Sequence, residues 1–495
     1  MKITEALPTR SAAIAQLQRE RFDLLVIGGG ITGAGVAQDA ASRGLKVALV
    51  ERGDFAVGTS SRSSKLIHGG LRYLAQGNFK VTYESCEERA LLQTLAPHLV
   101  QPRSFLVPVY NWKYAIQLVM GLWAYDIVSR GKKSPFHKRI NVSQAKKLAP
   151  MLKTDGLICA YIYHDCKTND ARLVLEVIKS AASYGAIVAN YVEVKGFIKN
   201  NGDISGVVAY DSISDQEVSI SADMVINATG VWVDKLRRVD DPKAELKVKP
   251  AKGTHITIAR NRIPTDNIAL LFESGINDGR SLFFIPWYEG TIIGTTDTEY
   301  NDEIDSPHAS QADIDYILNS VRRIFPQANI TAKDILSSYA GLRPLIDEGG
   351  KSTKDISREH KTFDSQSGLI SIAGGKLTTY RRMASSAVDY LFLKMRERGV
   401  EKKVRPSITA SIALSGIDPK QPIENLKQET IALAKPFGVE EDVCCHLVED
   451  YGANAKEVLA IVAEQTDQNK RLVVHLPFIQ AEVIYAVRAE QAVRI

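Results

Sequence analysis

Near the start of the chain the apolar positions come as one short solid run that breaks into glycine: residues 22–54 read FDLLVIGGGITGAGVAQDAASRGLKVALVERGD. The run predicts a buried strand, the small residues up to about Arg43 predict a helix that Gly44 ends, and KVALV predicts the next strand. Strand followed by glycine returns in ADMVINATGVWVD (222–234) and in LISIAGGKLTTYRRMASSAVDYL (369–391). Between them TDNIALLFE, SLFFIPWYE and TIIGTTD are short strand-like runs set off by turn residues, as an antiparallel sheet requires. After about Val404 the period becomes helical, in PIENLKQETIALAKPFG and NAKEVLAIVAEQ. Two stretches resist this reading. SSKLIHGGLRYLAQG (63–77) shows neither period, yet gathers Lys65, His68, Arg72 and Tyr73 around Gly69 and Gly70. YNWKYAIQLVMGLWAYDIVSRGKK (110–133) holds an apolar run too short to span a bilayer, with Trp112 and Trp123 at its margins and Lys132 and Lys133 after it. It fits an interfacial helix with aromatic and basic anchors, and equally a buried helix of a folded domain.

The first of these patterns carries chemistry. In Gly28-x-Gly30-x-x-Gly33 the glycines serve a tight turn, close approach of backbone to a pyrophosphate, and close packing of helix on strand. The helix N-terminus offers free N–H groups and a positive dipole end to phosphates. Glu51, after the second strand, can accept hydrogen bonds from both hydroxyls of an adenosine ribose. The fingerprint alone does not separate NAD from FAD. A soluble nicotinamide needs one such cradle, whereas a long flavin nucleotide crossing the sheet needs several, and Gly230 and Gly374-Gly375 begin two more. The second of these can place backbone N–H groups at the pyrimidine end of a flavin. Ligand-free strand-loop-helix joints are the plain alternative.

Length and composition narrow the picture. A chain of 495 residues exceeds one ordinary core, so two or three domains are expected. A net charge of +5 forces no nucleic-acid reading, and no partner of that kind is expected. Cys86, Cys159, Cys166, Cys444 and Cys445 form no CxxC pair and no metal-ligand spacing, so neither a disulfide frame nor a metal is expected. The charged N-terminus lacks a signal-peptide run, and no segment reaches the roughly 20 apolar residues of a membrane span. A cytoplasmic protein is expected, free to lie on a membrane.

IGGGITGAGVAQDAASRG, TSSRSSKLIHGGLRYL, TNDARLVL, NATGVWV, KGTHI, IPWYEGTIIGTTDTEY, GLRPL and GGKLTTYRRMA occur in the order found in the membrane-associated, FAD-dependent glycerol-3-phosphate dehydrogenase family, which the chain resembles over about residues 20–390. The resemblance implies an α/β fold: an FAD-binding Rossmann-like domain of the glutathione-reductase/amino-acid-oxidase type, an antiparallel-sheet substrate domain and a C-terminal helical domain. It places the FAD domain at 20–80, 155–240 and 340–395, the substrate or cap domain at 81–154 and 241–339, and the helical domain at 400–495. Members usually continue past AVRAEQAVRI with another arginine-rich helix.

The implied reaction moves a hydride from C2 of sn-glycerol 3-phosphate to flavin N5, giving dihydroxyacetone phosphate, with a membrane quinone as acceptor. It needs cations for a dianionic phosphate, a base for the C2 hydroxyl, and the carbon held on the flavin face. By motif, Arg72, Tyr73, Arg343, Arg358 and Lys376 bind substrate, and His255, Lys376 and Arg343 are catalytic. Either His255 or Lys376 is the base. Gly28, Gly30, Gly33, Glu51, Thr59, Ser60, Ser64, His68, Gly69, Val194, Gly230, Gly374, Gly375, Lys376, Leu377 and Thr378 would contact the cofactor, with Gly69-Gly70 bare so that backbone lies beneath a flat ring. Each has a plainer reading: surface-paired arginines, His68 a structural donor, His255 a satisfied histidine at a strand end, Tyr73 core. The resemblance also implies peripheral association with the inner face of the plasma membrane and allows a homodimer. The alternatives are an α-glycerophosphate oxidase that passes electrons to oxygen and forms hydrogen peroxide, and a flavin-binding protein without turnover. No obvious inserted segment of the kind oxidases carry is present, and a cluster of arginines without a phosphate would be destabilising.

Overall fold

The strand Arg21–Ile27 lies in the middle of a parallel sheet, with Val47–Val50 on one side and Gln216–Asn227 on the other. Ile187–Ala189 extends the sheet beyond Val47–Val50, and Leu369–Gly374 extends it beyond Gln216–Asn227, with His360–Asp364 antiparallel at the edge. This is a computed structural model, and it describes residues 6–71, 78–129, 134–275, 279–347, 349, 359–403 and 405–494. Alternate residues of the central strands feed two cores. Leu24, Val26, Val47 and Leu49 pack under the helices Ile31–Ser42, Asp170–Ser183 and Tyr380–Glu397. Phe22, Leu25, Ala48 and Val50 pack against the helix Arg10–Arg19 and the antiparallel pair Val192–Asn200 and Asp203–Asp211. Burial on both faces explains why these strands read as continuous apolar runs. Glycine brings the helices close: a Cβ on Gly33 would stand 1.9 Å from the Gly28 carbonyl oxygen, and one on Gly35 2.9 Å from the Tyr380 ring.

A second, mostly antiparallel sheet stands beside the first. Its longest pairing joins Val248–Ala259 to Ile335–Ile346, and Gly290–Gly294 flanks Val248–Ala259 on the other side. The boundaries expected from the sequence shift here. Cys159–Lys167, expected in the nucleotide-binding part, pairs along its length with Gln101–Val109 in the second sheet. Leu66–Ile67 and the whole of Ile335–Ile346 belong to it too. The chain therefore crosses between sheets inside segments expected to be uniform, because strand pairing with a remote partner decides membership.

The helices Ile423–Ala434, Glu441–Tyr451, Ala455–Glu464 and Gln480–Ala489 form a separate core around Leu447, Val458, Val462 and Tyr485. They dock on the first domain through buried Arg172, which donates to Glu490 at 2.8 Å and to the Asp450 carbonyl at 3.2 Å. The helix Trp112–Ser129 is two-sided. Leu118, Leu122 and Tyr125 are buried, whereas Trp112, Ile116, Met120, Trp123 and Ile127 are exposed in one stripe at helical spacing. Lys132 and Lys133 lie outside the described residues. Among the described residues no helix is long and apolar enough to cross a membrane.

Candidate functional site

A cleft opens where the parallel strands end, the place where open α/β sheets bind ligands. The C-terminal ends of the strands and the turns after them supply its lining: Gly28 and Gly30, Glu51, Gly230, and Gly374 to Leu377. Thr59, Ser60 and Val194 complete the expected residues that line it. Gly33 sits behind the lining as a packing contact, and Ser64, His68, Gly69 and Thr378 lie farther along, outside the lining.

The cleft is held open by its own hydrogen bonds. Gly29 N–H donates to Glu51 Oε2 at 2.7 Å and Gly53 N–H to Glu51 Oε1 at 2.9 Å, so the acid that follows the second strand clamps the glycine turn. Burial outweighs these bonds and raises the Glu51 pKa. Ser60 Oγ accepts the Ile31 N–H at 3.0 Å at the start of the glycine-turn helix, and Thr59 Oγ1 donates to the Leu342 carbonyl at 2.6 Å, tying the cleft to the second sheet. Gly28 has φ +113° and its Cβ would lie 2.7 Å from the Ala228 carbonyl oxygen, so only glycine fits.

The second sheet brings up the polar groups expected to act on substrate. His255 is buried, its Nε2 is 2.8 Å from Ser64 Oγ, and its ring stacks on Tyr339. Its buried Nδ1 meets no hydrogen-bond partner among the described residues. Burial first, then the nearby cations Arg343 and Lys65, push its pKa down to about 3. A desolvated ring beside two cations stays neutral. Arg343 Nη2 donates to Thr295 Oγ1 at 3.1 Å and to the Thr296 carbonyl at 3.3 Å, with Asp297 3.6 Å away. Lys376 lines the cleft and donates to Ser85 Oγ at 3.3 Å. Arg72, Tyr73 and Arg358 lie outside the described residues.

A Cβ on Gly69 would meet Tyr125 Oη at 2.3 Å and Cys86 Sγ at 2.5 Å, so the core beneath it admits no side chain at this position. Its N–H donates to Asp165 Oδ1 at 2.9 Å and to Tyr125 Oη at 3.2 Å. His68, one residue back, is bracketed by Thr378 Oγ1, which accepts from its N–H at 3.3 Å and donates to its carbonyl at 3.4 Å. Burial lowers the His68 pKa to about 4. Arg89, Tyr125 and Asp165 were not singled out by the sequence, where a helical arginine and tyrosine and a strand aspartate carry no motif. Asp170, inside the TNDARLVL stretch, receives Lys65 Nζ at 2.6 Å and Ser63 Oγ at 2.7 Å.

Set against known proteins, residues 23–381 match the family model described as FAD dependent oxidoreductase, and residues 407–495 match the one described as the C-terminal domain of alpha-glycerophosphate oxidase. The chain is 38% identical over 481 residues to an aerobic glycerol-3-phosphate dehydrogenase of Staphylococcus aureus, covering 96% of this chain and 85% of that protein. The solved glycerol-3-phosphate dehydrogenase from Bacillus halodurans, complexed with FAD, shares 35% identity and a TM-score of 0.80, over 99% of this chain and 87% of that one. Glycine oxidase from Geobacillus kaustophilus, at 20% identity and TM-score 0.57 over 80% of this chain and 99% of that one, shares the fold alone. The cofactor is FAD. The cleft suits it: a side-chain-free turn at Gly28 and Gly30, a helix N-terminus beside it, a buried acid at Glu51, and a second glycine turn at Gly374-Gly375 near the far end.

Proposed function

Because this chain belongs to the family of FAD dependent oxidoreductases, we propose that it oxidises sn-glycerol 3-phosphate at C2 to dihydroxyacetone phosphate and passes the electrons to a membrane quinone. The observation that carries this reading is the meeting of two halves. Lys376 lines the cofactor cleft, and Pro344 brings the second sheet to that same cleft directly beside Arg343, whose charge also reaches His255. The names of the relatives point to the same substrate.

Bound FAD supplies the two-electron acceptor. The chain's own groups do the rest. Arg343, oriented by Thr295, Thr296 and Asp297, offers a planar fork suited to a phosphate, and Lys376 adds a second cation. The neutral His255 presents Nε2 at Ser64 Oγ, a short path for the proton of the C2 hydroxyl. A dianion beside Arg343 and Lys65 offsets the charges that depress this histidine, so substrate itself raises its affinity for a proton. Lys376 is the alternative base.

The apolar stripe Trp112, Ile116, Met120, Trp123 and Ile127 supports peripheral binding to a lipid surface, where quinone is found. The match of residues 407–495 to the glycerophosphate oxidase domain favours a second reading, transfer to oxygen with peroxide as product. Anaerobic addition of sn-glycerol 3-phosphate to the holoenzyme should bleach the flavin band. A persistent band overturns the substrate. Re-oxidation in air with stoichiometric peroxide at a catalytic rate replaces quinone by oxygen.

A further inference from the structure

Beneath the stretch that ends the second-sheet strand Leu66–Ile67 lies a fully buried polar node. Arg89 comes from the helix Phe79–Leu95, Tyr125 from Trp112–Ser129 and Asp165 from Cys159–Lys167. Their exposures are 1%, 1% and 4%. Asp165 Oδ1 receives Arg89 Nη1 at 2.6 Å, Tyr125 Oη at 2.6 Å and the Gly69 N–H at 2.9 Å. Arg89 Nη1 also donates to Tyr125 Oη at 2.6 Å and to the His164 carbonyl at 3.1 Å. A buried ion pair is a poor way to gain stability, since apolar residues of the same volume fill such a space at less desolvation cost. What this pair does that apolar residues cannot is hold a backbone amide in place.

The amide it holds is well placed. Gly69 admits no larger residue, because a Cβ there would stand 2.3 Å from Tyr125 Oη and 2.5 Å from Cys86 Sγ. On the other side of the same peptide, His68 is hydrogen-bonded at both its N–H and its carbonyl by Thr378, in the turn that begins with Lys376 and Leu377 in the cleft lining. The segment is thus pinned between the cleft and the node. The charges of Asp165 and Lys376 both reach the His68 ring, with opposite effects.

We propose that Asp165, fixed by Arg89 and Tyr125, is a positioning residue that sets where the His68–Gly69 segment stands against the flavin end of the cleft. The inference rests on the reading of this cleft as the place where glycerol 3-phosphate meets FAD, and it deepens that reading.

Asp165→Asn leaves Arg89 charged and unpaired in the core, so Tyr125→Phe, which keeps the ion pair and one of the two bonds to Gly69, is measured beside it in the FAD-loaded enzyme. For Tyr125→Phe the rate of flavin reduction should fall about 3- to 10-fold, and for Asp165→Asn about 10- to 100-fold, as expected for a displacement of up to an ångström, with KM within about 2-fold. The visible circular dichroism of bound FAD, read with no substrate present, should change in both while FAD content stays full. Wild-type dichroism and wild-type reduction rates in a folded Tyr125→Phe enzyme would overturn the proposal. So would losses that track the fall in thermal midpoint and vanish on cooling. If wild-type enzyme is not reduced by sn-glycerol 3-phosphate, the functional reading fails, and the substrate-free dichroism still decides the positioning role.

Discussion

The imidazole of His255 lies flat against the phenol of Tyr339, with ring centroids 4.8 Å apart and planes 14° apart. The two residues are opposite one another on paired strands, and on the other flank His255 faces Gly294, where a Cβ would come within 2.5 Å of the imidazole Cδ2. Tyr339 also donates to the Ser63 carbonyl at 2.9 Å, so one side chain supports the ring and the segment that carries its partner Ser64. The slot leaves the ring little freedom, which is what a proton-transfer group requires.

His255→Asn should therefore lower kcat/KM by about 10²- to 10⁴-fold, the usual contribution of a general base, across the whole neutral range, because the free imidazole with its pKa near 3 is already neutral there. If kcat/KM is unchanged in the folded, FAD-loaded variant, the base is Lys376.

Arg343→Ala should lower kcat/KM for sn-glycerol 3-phosphate by roughly 30- to 1000-fold, about 2 to 4 kcal/mol of transition-state binding, while the flavin spectrum persists. Glycerol, which lacks the phosphate, is the control. An equal loss with glycerol would show that this guanidinium does not meet the phosphate.

Glu51→Ala removes a clamp on the glycine turn as well as an acceptor for a ribose. It should weaken FAD retention by about 1.5 to 3 kcal/mol, the range for a hydrogen bond to a charged group, in a protein that still folds. Full flavin after prolonged dialysis of the mutant would refute this role.

Acid should destabilise the fold from a pH above the carboxylate range. His68, His98 and His255 have pKa values lowered to about 4, 3 and 3, chiefly by burial. Between these values and about 6.5 the unfolded chain binds protons that the folded chain refuses, so stability falls as pH falls, by up to about 1.4 kcal/mol per pH unit for each. His446, whose pKa is raised with Glu482 beside it, acts with the opposite sign and stabilises on the acid side of its ordinary value. Thermal midpoints from pH 7 to pH 5 should drop, and His98→Gln should reduce the slope. A flat midpoint over that range would contradict the buried neutral histidines.

Replacing Met120 and Trp123 by serine should abolish sedimentation with anionic vesicles, since each is more than half exposed on the apolar stripe and buried apolar area is worth about 25 cal/mol per Å². Leu122 is unsuitable for the same test because it is fully buried. Flavin reduction in solution should survive and quinone reduction should fall. Unchanged vesicle binding would send the search for the lipid-facing surface elsewhere.

The glycine turn, Glu51 and the repeated strand-to-glycine joints were legible in the sequence because their constraints are local. Gly28 must adopt a positive φ and admit a close carbonyl, Gly33 must let a helix approach, and an acid must follow the second strand; each leaves a mark within some 30 residues. What only the tertiary structure decided was every feature set by a remote partner. That Gly69 is bare for Tyr125 and Cys86, that Cys159–Lys167 joins the second sheet, that one helix face meets the core and the other meets solvent, and that His255 stands desolvated near Arg343 and Lys65 all depend on neighbours far away in the chain. Periodicity along a sequence reports which side of an element is apolar; burial, field and contact are properties of the space the folded chain encloses, and they come into being only when its segments pack together.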